Sequence, residues 1–155
     1  MKKFVLLVVI LLCVFCTLAT YRMVIMSKKH TESINSALEL FLKEDCRIQI
    51  DAPSTESPIR STDSKNKDLR SLVSQLKKLK YETNSYAPRD VPACGQDTII
   101  LKSLCDSKYD VWISHFGVFL IANSPEAKYA YRTVTTGESE GLHTISMNLY
   151  QSLDE

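Results

Sequence analysis

"YDVWISHFGVFLIAN", residues 109–123, decides the fold. Its first half, Tyr109 to Ser114, favours a strand through its β-branched and aromatic content. Its second half, Val118 to Ile121, is apolar at every position and suits a central strand covered on both sides. His115, Phe116 and Gly117 between them fit a tight turn. Two strands joined so closely are antiparallel neighbours, because a parallel pair needs a crossover of about a dozen residues.

Working outward, "KYAYRTVT" (128–135) and "LHTISMNLY" (142–150) read as further strands through their β-branched and aromatic content. Turn candidates separate them at 123–126 and 137–141. "TIILKSLC" (98–105) is open between a strand and a short helix, and "YETNSYAPRDVPACGQ" (81–96), with two prolines and a glycine, reads as a connecting loop. Upstream, "DLRSLVSQLKKLK" (68–80) places Leu69, Leu72, Val73, Leu76 and Leu79 on one helical face, with Asp68 as N-cap. Residues 52–67 hold one large apolar side chain, Ile59, and predict a mobile exposed loop. "CRIQID" (46–51) alternates like a half-buried strand. "TESINSALELFLKED" (31–45) predicts a helix from about Glu32 to Lys43, with Thr31 at its N-cap. The sum is an α+β domain over 27–155, with two helices packed on one face of a mostly antiparallel sheet.

Before it comes "MKKFVLLVVILLCVFCTLATYRMVIMSKKH". Two lysines precede Phe4 to Ala19, which carry no charge, so residues 1–26 read as an export signal or as a signal anchor that precedes the domain as a hydrophobic helix. Sixteen helical residues reach about 24 Å, short of the roughly 30 Å hydrocarbon core, which suits cleavage after Thr17-Leu18-Ala19. Extending the run through Tyr21 to Met26 suits an anchor, with Tyr21 at the interface and the Arg22 charge reaching the headgroups. Both remain open. Either one predicts a location outside the cytoplasm: periplasmic, held at the inner membrane or released.

All 18 acidic residues and 16 of the 19 Lys and Arg lie after Met26, a balance that excludes a protein whose main business is nucleic acid. Three cysteines follow the leader, Cys46, Cys94 and Cys105. Cys94 and Cys105 are close in the chain and form the first bridge candidate, with pairing of either to Cys46, or no bond at all, as the alternatives; Cys46 reads first as a small buried core residue.

"TTGESEG" (135–141) contains G-x-S-x-G. A nucleophile elbow needs a strand before the serine, a helix after it, and then an acid and a histidine in that order. Here His143 comes almost at once and Asp154 near the end, so the stretch reads as a hairpin loop whose glycines supply positive φ. The spacing of Cys94, Cys105, His115 and His143 matches no zinc pattern, and no phosphate-binding glycine loop occurs; neither metal nor cofactor is expected. What remains is aromatic and acidic surface. Tyr129 and Tyr131 fall on one side of a strand, and with Glu138 and Glu140 they are the candidate contacts to a protein partner. The functional expectation is a non-catalytic binding protein of inhibitor or immunity type in a bacterial envelope. The alternatives are a membrane-anchored structural subunit of an envelope or secretion complex, and a small secreted hydrolase in which His115 or His143 approaches Cys105, Ser139 or an acid.

Overall fold

The computed structural model describes residues 2–53, 58–84, 98–105, 108–123, 128–133 and 136–153. Helix α1 (Lys2–Glu39) runs for 38 residues and ends in one 3-10 turn at Leu40–Leu42. Thr31 therefore lies inside a helix and does not cap one, since no glycine or proline between residues 2 and 42 gives the backbone ladder a reason to stop. The chain divides into two units, Met1–Ser33 and Ile34–Glu155.

In the first unit the described large apolar side chains, Leu6 and those from Val8 to Met26, are exposed, Phe15 at 71%. Each would favour an apolar surrounding by about 25 cal/mol per Å² transferred. With a mean hydropathy of 2.3 over its most apolar window, this is a helix long and apolar enough to cross a membrane. The hydroxyls of Thr17 and Thr20 donate to the carbonyls of Val14 and Cys16 at 2.8 and 3.0 Å. Neither then depends on water.

The second unit is α+β. Its strands are β1 (Arg47–Asp51), β2 (Arg60–Asp63), β3 (Glu82–Asn84), β4 (Ile99–Ser103), β5 (Tyr109–Ser114), β6 (Gly117–Ala122) and β7 (Tyr129–Thr133). Helix α2 (Lys67–Leu76) lies between β2 and β3, and α3 (Thr136–Gln151) follows β7. The strands form one antiparallel sheet in the order β2-β1-β4-β5-β6-β7-β3. Opposed residues share a face, so one row crosses every strand: Arg60, Ile50, Leu101, Val111, Leu120, Ala130 and Thr83. Its five apolar members join a single buried cluster with Ile34, Leu38 and Phe41, with Leu69, Leu72, Val73 and Leu76 of α2, and with Leu142, Leu149 and Tyr150 of α3. The end of α1 from Ile34 on, α2 and α3 thus pack on that face. Gly117 lets β6 meet β7, because a Cβ there would lie 2.6 Å from the Arg132 carbonyl oxygen.

Three local expectations change. The N-cap of α2 is Asn66, whose Oδ1 accepts from the backbone N–H of Asp68 and Leu69 at 2.9 and 3.2 Å; Asp68 sits in the first turn, where the helix dipole favours its charge. Residues 52–67 are not all loop, since 60–63 form the edge strand β2. The partner that makes this strand is distant: the Arg60 guanidinium stands 3.9 Å over the Tyr150 ring and donates to the Tyr150 carbonyl. The connecting loop begins later than expected, because residues 82–84 pair with β7 as β3; the rest of that stretch to residue 97 lies outside the described residues.

The largest correction is α3. The stretch read as a hairpin loop and a strand is one helix, with Leu142, Ser146, Leu149 and Tyr150 buried at helical spacing. Ser146 is tolerated inside because its hydroxyl donates to the His143 carbonyl at 2.9 Å. Gly137 and Gly141 do not have positive φ, and a Cβ on either would meet nothing within 4 Å.

The bridge joins Cys46 to Cys105, not Cys94 to Cys105. Ile48 is paired with Ser103, so the antiparallel register carries residues 46 and 105 opposite one another, with Cα atoms 5.7 Å apart. Ladder geometry outweighs closeness in sequence, and Cys94 itself lies outside the described residues.

Two measurements follow from this architecture. Gly141→Ala should raise stability by about 0.5–1 kcal/mol in urea unfolding, since alanine suits an open helical position; a hairpin requiring positive φ would be destabilised instead. A non-reducing peptide map should link Cys46 to Cys105. Closing 59 residues, the bridge should contribute about 4 kcal/mol by the chain-entropy relation, read as the change in unfolding free energy on reduction.

Candidate functional site

The four candidate contacts fall on different sides of the sheet. Tyr131 lies opposite Phe119, which lies opposite Trp112 and then Ile100, so these residues form a second row on the face away from the helices. Ile100 and Phe119 are only 4% and 7% exposed yet stand outside the main cluster, which makes this face a smaller apolar layer in its own right. Burial pushes the Asp110 carboxyl on this face above its ordinary range, against the pull of Lys102 and the Asn123 amide. Tyr129 shares the face through its two-residue spacing from Tyr131. Glu138 and Glu140, by contrast, are exposed on the first turns of α3.

Two clefts bring part of this set back together. The first, of about 220 Å³, is lined by Lys80, Tyr81, Glu82, Tyr131 and Arg132. It forms where β3 and β7 end the sheet. Arg132 is opposite Val118 and therefore on the helix side, whereas Tyr131 is on the other; walls from both sides are possible only at an edge. Tyr131 donates its hydroxyl to Glu82 Oε2 at 2.7 Å, and that hydrogen bond, with the carboxylate's charge, holds the phenol above its usual range. Tyr81 donates to the Leu76 carbonyl at 3.0 Å, closing the end of α2, and burial raises its phenol far above the ordinary value.

The second cleft, of about 260 Å³, lies between α2 and α3 and is lined by Gln75, Lys78, Leu79, Gly137, Glu138, Gly141 and Leu142. The two glycines of the G-x-S-x-G spacing are one helical turn apart and leave the backbone open to it. Leu79 and Lys80 are successive residues lining one cleft each, and Arg132 and Glu138 connect the same two walls through an ion pair of 3.8 Å.

Tyr131 thus lines the first cleft and Glu138 the second, and Arg132 of the first is the residue in contact with Glu138. Tyr129 and Glu140 line neither. Of the other residues lining the first cleft, Lys80 and Tyr81 carry only a general signal in sequence, a basic helix face open to an acidic partner and a scattered set of aromatics; Arg132 and Glu82 carry none, because β3 is too short to show a period and Arg132 alternates with the tyrosines. Cys105 is bridged and has no thiolate to offer. His115, on the β5–β6 turn, places its ring centroid 4.3 Å from that of His143 on α3. The Ser139 side chain lies outside the described residues. Among the described residues, no three His, Cys, Asp or Glu side chains gather to hold a metal ion.

The chain matches no protein-family model, no curated protein and no solved structure.

Tyr131 should titrate above its ordinary value in an ultraviolet absorbance titration read against Tyr131→Phe. Glu82→Ala removes both the acceptor and the charge, so the phenol should then ionise at lower pH.

Proposed function

We propose that this chain is a non-catalytic binding protein that works outside the cytoplasm and inhibits or neutralises another protein in a bacterial envelope, as immunity and inhibitor proteins do. The observation that carries the reading is the edge at β3 and β7. There Tyr131, singled out for its chemistry alone, lines one cleft, and Arg132 of the same cleft is 3.8 Å from Glu138, which lines a second. Aromatic and arginine side chains at the rim of a concave surface suit the anchors of a protein interface. The apolar α1 supports placement at a membrane, and a bridge between Cys46 and Cys105 suits an oxidising compartment. The outward-facing apolar surface of α1 also supports a second reading, a membrane-anchored structural subunit of an envelope complex.

Photocrosslinking in a bacterial host separates these readings. A benzoylphenylalanine at position 131 or 138 should give the same discrete adduct, and one at Lys65, on the turn between β2 and α2, should not. Adding the full chain should then lower the activity of the captured protein. An adduct whose activity is unaffected favours the structural subunit, and turnover of a small molecule by the chain itself would overturn the non-catalytic reading.

A further inference from the structure

Arginine is the least satisfied group in the first cleft. A guanidinium has five N–H donors in a fixed plane, and its side-on edge, Nε with Nη2, matches the two oxygens of a carboxylate. In Arg132 that edge is the part left unmet. Its Nε is shielded from solvent without a hydrogen-bond partner among the described residues, and its Nη2 has only the 3.8 Å contact to Glu138. A charge-assisted N–H···O bond is about 2.7–2.9 Å, so Glu138 is near enough to attract and too far to bond well. Both side chains are partly open, Arg132 at 38%, which weakens the pair further by solvent screening.

The rest of the cleft narrows the ligand. Lys80 lines it and has no ion pair among the described residues, so a second cation stands beside the guanidinium. Glu82 is engaged by the Tyr131 hydroxyl, and the Tyr81 hydroxyl by the end of α2. The donors still available are therefore those of Arg132 and Lys80. A dianion would meet the negative charge of Glu82 and Glu138 as well as the two cations; a monoanion with two planar oxygens balances better.

We infer that Arg132, with Lys80 beside it, receives a single carboxylate presented by a partner polypeptide, and that Glu138 holds the place until that carboxylate arrives. The inference rests on the binding role proposed above and names the chemistry of the partner's anchor. Binding exchanges the long Arg132–Glu138 contact for a bidentate pair and brings the Nε donor into use.

The Arg132 Nε–H resonance of the full chain in zwitterionic detergent micelles reports on this directly. Titration with acetyl-Ala-Glu-Ala-amide should shift that resonance saturably. The peptide with Gln for Glu should leave it unmoved. Lys80→Gln should weaken the response several-fold and Arg132→Lys at least as much, because lysine lacks the fork. Glu138→Gln should strengthen it, since the internal competitor is removed. Equal shifts from the Glu and Gln peptides would overturn the inference, as would tighter binding of inorganic phosphate than of the Glu peptide, or a Glu138→Gln variant that binds more weakly. If the crosslink from position 131 persists unchanged in Arg132→Gln, the docking edge stands and the carboxylate receptor falls.

Discussion

A row of side chains that crosses all seven strands governs this domain. Ile50, Leu101, Val111, Leu120 and Ala130 stand side by side on one face of the sheet, and they must be removed from water together. A sheet has no internal means of covering its own face, so the chain supplies three separate apolar stripes from the end of α1, from α2 and from α3. The row ends on Arg60, whose cation rests on the ring of Tyr150, and that contact ties the last helix to the first edge of the sheet. Sheet register and helix placement are consequently one constraint.

The same constraint sets the character of the edge where β3 and β7 meet. Strand β3 has three residues and contributes Glu82 on one side and Thr83 on the other, so the layers above and below both run out there. Side chains that would be sealed inside a wider sheet become the walls of a cleft. Arg132 belongs to the helix side and Tyr131 to the opposite side, and only the termination of the sheet lets neighbours of opposite direction line one space. The polar groups follow suit: those that can reach a partner within the domain do so, as Tyr81 and Tyr131 show, and Arg132 is left with a long contact.

Much of the fold was legible in the residues, element by element. The β5–β6 hairpin, the α2 stripe and the β1 alternation each carry their own local pattern, and each forms where that pattern lies. The failures share a cause. Arg60–Asp63 has no apolar pattern, because its ladder and the Tyr150 ring hold it in place. "LHTISMNLY" contains both a two-residue and a helical spacing of apolar groups, and the sheet's need for a third covering stripe selects the helical one. Of the residues at the cleft, the tyrosines and Glu138 were visible as residue types and Lys80 as part of a basic helix face, while Arg132 had no local signal at all.

The sequence by itself determined the apolar leader, the α+β class, the central hairpin and the charge balance, because hydropathy and period are properties of neighbouring residues. Only the tertiary structure decided which cysteines are joined, which strands lie at the edges, and which side chains share the cleft at β3 and β7. Those facts depend on register between segments far apart in the chain, as when the pairing of Ile48 with Ser103 brings Cys46 to Cys105 across 59 residues. No reading of adjacent positions contains that distance.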